Sequence, residues 1–280
     1  IEGDIRNIPS DAFPDHVTGI IGGPPCQAWS EGGKQLGFDD PRGQLFLEHV
    51  RIVKLKKPKF FVIENVQGIL EDKHKQSLSF IISTLQAIGY SIKYELLNSA
   101  DYKIPQDRFR VFFVGIRNDL QNTFAFPNAI PGKKVTLREA IGDIIEDPRF
   151  FNEEMVMSEH PTRKNHDVYT GSYDAKYMAR NRVRSWNEQS FTIQAQARNE
   201  PQHLQAPKMP YISLNIRIFA KGYEHLYRRL SVRECARIQT FPDSFVFIYT
   251  DIKNGYKMVG NAVPPRLAYA LAVQVRKSIR

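Results

Sequence analysis

Between Val17 and Ile116, apolar runs too short to be helices alternate with segments of helical spacing, and few architectures accommodate that rhythm. Val17 to Ile21 predicts a buried strand, which Gly22-Gly23-Pro24-Pro25 ends because proline cannot donate to a β-ladder. A helix is expected from about Gln44 to Lys57, with Phe46, Val50 and Val53 on one face and Pro58 as its stop. Phe60 to Ile63 reads as a second buried strand, ending at Glu64-Asn65. Leu78, Ile81, Ile82, Leu85 and Ile88 form one stripe of a helix from about Lys75 to Ile88, closed by Gly89. Strands Tyr90 to Leu97 and Arg110 to Ile116 bracket a turn containing Pro105-Gln106-Asp107-Arg108. The alternation argues for an α/β fold with a largely parallel, doubly wound sheet. Cys26 and Glu64 then fall at the carboxyl edge of the sheet, where such folds bind ligands. On its own stretch, a small buried hydrophobe is an equal reading of Cys26.

The rest of the chain is less regular. Ala28 to Gly43 is polar and glycine-rich, with the length of a mobile loop. Periodicity fades from Asn118 to about Glu159, where Pro127, Pro131 and Pro148 punctuate the chain. Strand-like pieces, Phe191 to Ala195 and Tyr211 to Ile218, follow among turn residues. Ser231 with Glu234 is a capping box that opens a helix through about Thr240. A last helix is expected from near Pro264, with Asn261 as its cap.

Charge is concentrated rather than spread. The formal net charge is +9, and His160 to Arg233 holds 13 Lys+Arg against 5 Asp+Glu, so +8 lies in about a quarter of the chain. Such a block suits a polyanion, since ordinary solvated faces intersperse both signs. No run approaches the ~18 apolar residues of a membrane span and no signal-peptide pattern is evident, which makes the cytosol the default. Two cysteines, Cys26 and Cys235, argue against a disulfide framework and leave too few thiolates for a cysteine-based zinc site. The seven histidines include no close pair on one expected helix, so no metal is expected.

Five motifs stand in a recognisable order: Gly23-Pro24-Pro25-Cys26-Gln27, Glu64-Asn65-Val66, Gln106-x-Arg108-x-Arg110, Arg233-Glu234 within Arg-Glu-Cys-Ala-Arg-Ile-Gln, and Gly260-Asn261-Ala262-Val263-Pro264. Together they resemble the cytosine-5 DNA methyltransferases over nearly the whole chain. Trp29-Ser30-Glu31-Gly32-Gly33 and Arg180-Asn181-Arg182-Val183-Arg184 look like the bacterial modification enzymes that methylate GGCC. The resemblance implies a Rossmann-like, AdoMet-dependent methyltransferase sheet in a catalytic domain at 1–159, resumed at 228–280. A smaller, mostly irregular or β target-recognition domain is implied at 160–227. It further implies methyl transfer from S-adenosylmethionine to C5 of a flipped cytosine in duplex DNA, within a restriction-modification system, leaving S-adenosylhomocysteine. In that chemistry Cys26 adds to C6 and Glu64 binds N3 and the exocyclic amine, while Arg108 and Arg110 hold the flipped nucleotide and help keep Cys26 anionic. Asp4, Ile5, Pro24, Leu45, Asn261 and Val263 would line the cofactor site, with Asp4 toward the adenine. Gln27, Ser30, Arg42, Arg182, Arg184, Arg198, Arg228 and Arg233 would face DNA. Of these, Ser30 and Arg42 would meet the backbone, and Arg182, Arg184 and Arg198 would read guanines. A monomeric, cytoplasmic, nucleoid-associated enzyme without a membrane anchor follows.

One departure from the family pattern qualifies this. The Phe-x-Gly-x-Gly loop that opens the family is absent, and Ile1-Glu2-Gly3-Asp4-Ile5 looks like its third motif. By resemblance, about two central strands and their helix are missing, which would leave the strand before Cys26 as an apolar edge. Weak cofactor binding by this chain alone is therefore expected. A second chain carrying the missing motif, or a catalytically inactive DNA-binding fragment, are the alternatives. A tRNA cytosine-5 methyltransferase is a third, against which the basic recognition region argues.

Overall fold

The computed structural model describes residues 3–24, 45–144, 146–151, 163–173 and 175–280. It divides into two compact units, one of Ile1–Asn98, Phe109–Asn128 and Ala270–Arg280, the other of Ser99–Arg108 and Ala129–Tyr269.

In the first unit, β1 (Gly19–Gly22) leads to α1 (Leu45–Lys56), β2 (Phe60–Val66), α2 (Lys75–Ala87), β3 (Tyr90–Asn98) and β4 (Phe109–Arg117). The strands form one sheet in the order β1-β2-β4-β3. Gly89, at φ +95°, takes the left-handed conformation that ends a helix, as expected after α2. β1 and β2 run parallel with Gly22 opposite Ile63, but β4 is antiparallel to both β2 and β3. The expected largely parallel sheet is therefore corrected to a mixed one. The physical reason is connection length: only Ser99–Arg108 joins β3 to β4, too short for the crossover of a dozen or more residues that a parallel return requires. Another difference is that β2 runs through Glu64 and Asn65 to Val66 instead of ending before them.

One face of the sheet presents Phe61, Ile63, Val111 and Phe113 to Phe46, Val50 and Val53 of α1 and to Leu78, Ile81 and Leu85 of α2. Each of these side chains, fully buried, contributes roughly 1.5–3 kcal/mol. The two stripes read from the sequence are thus the two helix faces that form this core. At the other end of the order, β1 is an edge strand among the described residues, and Ile21 is 77% exposed.

The second unit has α3 (Leu137–Ile141), β5 (Arg149–Phe151), β6 (Asp167–Tyr169), α4 (Ala175–Met178), β7 (Tyr211–Ser213), β8 (Ile216–Arg217), α5 (Val232–Ile238) and α6 (Ile252–Asn261). Helix α7 (Pro265–Ser278) begins in this unit and ends in the first. Its core gathers Leu137, Ile193, Leu230, Cys235, Ile238, Tyr256 and Val259 around α5 and α6. The capping box at Ser231 is present, with the Ser231 N–H donating to Glu234 Oε2 at 2.7 Å and the Glu234 N–H to Ser231 Oγ at 3.1 Å. Three sequence expectations are corrected. Phe191 to Ala195 forms no strand, and Tyr211 to Ile218 is the two short strands β7 and β8 joined at Asn215, a turn residue at φ +60°. Asn261 is the last residue of α6 rather than the cap of α7. Helix α6 was concealed by Gly255 and Gly260, which depress helix propensity, and is opened by Asp251, whose side chain accepts from the Lys253 N–H.

Candidate active site

β1 and β2 together deliver the candidate chemistry. The parallel register sets Gly22 beside Ile63, so the next step of each strand brings Gly23 to Glu64; a Cβ on Gly23 would lie 3.7 Å from Glu64 Oε2. Asn65, fully buried, donates from Nδ2 to the Pro24 carbonyl at 3.5 Å and accepts the Val66 N–H at its Oδ1. The backbone leading toward Cys26 is therefore held against the Glu64-Asn65 corner as far as Pro24. Cys26 itself lies outside the described residues, as do Gln27, Ser30, Arg42 and the loop Ala28 to Gly43. Asn65 was quoted in the motif but given no role in the sequence reading; its burial within a strand end is the signal that assigns it one.

On the sheet face opposite the α1 and α2 core, Glu64 pairs across the ladder with Phe112, and Val66 with Arg110. Glu64 and Arg110 are thereby diagonal neighbours on one face. Their ion pair closes at 2.8 Å between Arg110 Nε and Glu64 Oε1, with side chains 18% and 19% exposed. The guanidinium holds one carboxylate oxygen in place and leaves Oε2 on the side of Gly23.

Arg108 is placed differently. It is buried, and its guanidinium donates to the carbonyls of Ile193, Gly260 and Ala262 at 3.2, 3.0 and 3.2 Å. Gln106 is buried beside the same segment, donating to Gln239 Oε1 at 2.9 Å and accepting the Ile193 N–H at 2.8 Å. Two members of Gln-x-Arg-x-Arg thus fasten the backbone of the second unit, and only Arg110 pairs with Glu64.

A cleft of about 630 Å³ opens beside the end of β1. Its lining contains Asp4, Ile5, Pro24 and Leu45, four of the six residues expected at the cofactor, together with Gly22 and His49. Asp4 is clasped by Arg6, whose hydrogen bonds and charge hold its carboxyl down at about 2. His49 is nine-tenths buried and lies against Gly22, where a Cβ would meet its Nδ1 at 2.6 Å, so only glycine lets the imidazole sit there. Burial pushes His49 down to about 4, and its Nε2 has no hydrogen-bond partner among the described residues. Asn261 lines a different cleft, within the second unit, with Tyr249, Asn254 and Lys257, while Val263 is half-buried just beyond it.

A model of the C-5 cytosine-specific DNA methylase family matches residues 1–277. The chain belongs to that family. It is 45% identical to the type II methyltransferase M.NgoPII of Neisseria gonorrhoeae over all of its own length and 82% of that protein. It is 49% identical to M.MthTI of Methanothermobacter thermautotrophicus over 95% of its length and 80% of the relative. Its fold is similar to the crystal structure of a putative DNA modification methyltransferase encoded within an Escherichia coli prophage. That likeness has a TM-score of 0.68 at 20% identity, covering 99% of this chain and 85% of the other.

The methylase's remaining candidates divide by what their side chains already bind. Arg233 is buried, donating to the carbonyls of Lys164, Pro242 and Phe245 and to Asn165 Oδ1. Arg228 makes two 2.8 Å bonds to the buried carboxylate of Glu234. Both were expected at DNA; here the guanidinium of Arg233 and the terminal nitrogens of Arg228 bond to groups inside the protein. Arg182 lies over the Tyr177 ring at 4.7 Å and donates to the Tyr177 carbonyl, and Arg184 lies over Phe191 at 4.1 Å with Asp107 and Glu188 nearby. Arg198, in the short turn Ala197–Asn199, is exposed. Among the described residues no group of three His, Cys, Asp or Glu side chains is placed to hold a metal, and no helix is long and apolar enough to cross a membrane.

Proposed function

We propose that this methylase transfers a methyl group to C5 of a cytosine in duplex DNA, within GGCC, as the modification partner of a restriction-modification system. The observation that carries the reading is the Glu64–Arg110 pair standing where the chain is led toward Cys26. A base inside a duplex cannot present its C6 face to a thiolate, so the cytosine is rotated out first, at a cost of a few kcal/mol. Cys26 adds through sulfur to C6. Glu64, held by Arg110, hydrogen-bonds at N3 and the exocyclic amine and relieves the charge that addition puts on the ring. C5 thereby becomes nucleophilic and takes the methyl group; loss of its proton then expels Cys26 and restores the aromatic ring. Arg108 acts at one remove, by fixing the Gly260 to Ala262 backbone.

S-adenosylmethionine, when bound, supplies the methyl group on a positively charged sulfur. The cleft suits such a molecule, because it is largely hydrocarbon, holds the ionised Asp4, and has in His49 a buried imidazole nitrogen without a partner among the described residues. Asp4, Ile5, Pro24 and Leu45 would hold it. Residues 160–227 act as the target-recognition region, with Arg182, Arg184 and Arg198 as its guanine readers and Ser30, Arg42 and Gln27 meeting DNA from the loop after Cys26. We take the working form to be a single chain in the cytoplasm, associated with the nucleoid.

The deciding experiment is trapping on duplex DNA carrying 5-fluorocytosine in GGCC with added S-adenosylmethionine and with the Phe-x-Gly-x-Gly segment supplied, since fluorine at C5 cannot leave as a proton would. A covalent adduct that disappears in Cys26→Ser is the expected result. Absence of adduct on GGCC, or its persistence in the serine variant, would overturn the reading.

A further inference from the structure

Beneath the exposed Arg198 lies a carboxyl group that the proposed chemistry does not use. Glu200 is fully buried, and its Oε1 has no hydrogen-bond partner among the described residues. The Cys235 thiol of α5 stands 3.8 Å from its other oxygen, and its backbone carbonyl accepts the Tyr177 hydroxyl at 2.7 Å. Two residues on, the Gln202 N–H donates to the Arg182 carbonyl at 2.9 Å, and Gln202 bridges Val183 on one side and Arg229 on the other. Two residues back, Arg198 leaves the surface from the turn Ala197–Asn199. One short segment thus carries one candidate guanine reader and is hydrogen-bonded to the backbone of another, with Glu200 as its inward-facing side chain.

We propose that Glu200 is a positioning residue for sequence reading: its buried side chain seats the Ala197–Gln202 segment and thereby sets the reach of Arg198 and the backbone of Arg182. The inference rests on the reading of these arginines as the guanine contacts. A long polar side chain left inside an apolar core is costly unless it is neutral or paired. The charged and titratable groups facing Glu200 are Cys235 on α5, Tyr256 on α6 and, at longer range, Arg108 and Arg229, with the Gln194 backbone amide favouring the ionised form. Burial outweighs all of them and pushes the carboxyl well above the usual carboxylate range, so it is protonated where an exposed glutamate is not. Ionising it would put a charge beneath the reading segment.

The test measures affinity of the full chain for a GGCC duplex and for duplexes with one guanine replaced, across pH. For Glu200→Ala, we expect discrimination between them to fall by about tenfold or more, the scale of one lost arginine–guanine contact. Binding to the replaced duplexes, which rests on phosphates, should stay within about twofold. Glu200→Gln, neutral and of the same shape, should restore discrimination and keep it flat with pH, whereas the wild type loses it on the alkaline side. Unchanged discrimination in Glu200→Ala, equal loss on all duplexes, or identical pH profiles for wild type and Glu200→Gln would each overturn the proposal. A wild type that does not prefer GGCC would instead overturn the recognition reading. In that case thermal unfolding still tests the buried carboxyl: Glu200→Gln must gain stability over wild type as pH rises, and no gain would sink the proposal as well.

Discussion

Glu64 and Arg110 owe their contact to strand parity. Each is an ordinary charged residue on a strand, and the β2–β4 register places them diagonally on one face. Glu64→Gln would keep the shape and lose the charge, and single-turnover methyl transfer should fall about 10²- to 10³-fold with duplex affinity nearly unchanged. Glu234 is a different kind of charge, serving the fold. Desolvation alone would raise its pKa, but Arg228 outweighs it and holds Glu234 at about 2 against an ordinary 4.5. A depressed folded pKa means the stabilisation is complete above 4.5 and is lost as pH falls toward about 2. Glu234→Ala should therefore cost roughly 3–5 kcal/mol at pH 7, because it removes the carboxylate that both terminal nitrogens of the half-buried Arg228 hold, together with the capping box. Urea unfolding at pH 7 and at pH 3 should show that gap narrowing with acid.

At the scale of elements, close backbone approach sets the geometry. Helix α6 reaches the Ile193 to Ala195 segment only because Gly260 has no side chain: a Cβ there would stand 2.0 Å from the Gln194 carbonyl oxygen and 2.4 Å from the Ala195 nitrogen. Backbone cannot yield as a flexible side chain can. Gly260→Ala should lower stability by about 1–3 kcal/mol or more, read as a drop in thermal midpoint, and should loosen the carbonyls that Arg108 grips. The sequence made Gly260 legible as part of a motif, but not its reason, since Gln194 lies far away in the chain. Helices α1 and α2 were legible almost to the residue, because their apolar stripes form the first core. Helix α6 was not, because packing rather than propensity supports it.

For the whole molecule, charge is the property that acts at long range. Duplex affinity should fall linearly with salt on logarithmic axes, and Lys176→Gln and Arg180→Gln, both at exposed positions, should each reduce that slope by about one unit. Fluorescence anisotropy from 50 to 200 mM salt, where multi-phosphate binders lose orders of magnitude, checks this. By itself the sequence determined the family, the α/β class, the four strands of the first sheet, and the pairing of a Glu64 corner with the strand that leads to Cys26. These are carried by local spacing and by short motifs, which neighbours in the chain suffice to define. Only the tertiary structure decided that β4 inserts antiparallel between β2 and β3, and which arginines bond inside the protein. Arg108, Arg228 and Arg233 look in sequence like Arg110 and Arg198. What separates them is that the terminal nitrogens of Arg108, Arg228 and Arg233 are bonded to carbonyls and carboxylates inside the protein, which leaves fewer donors for a nucleic acid.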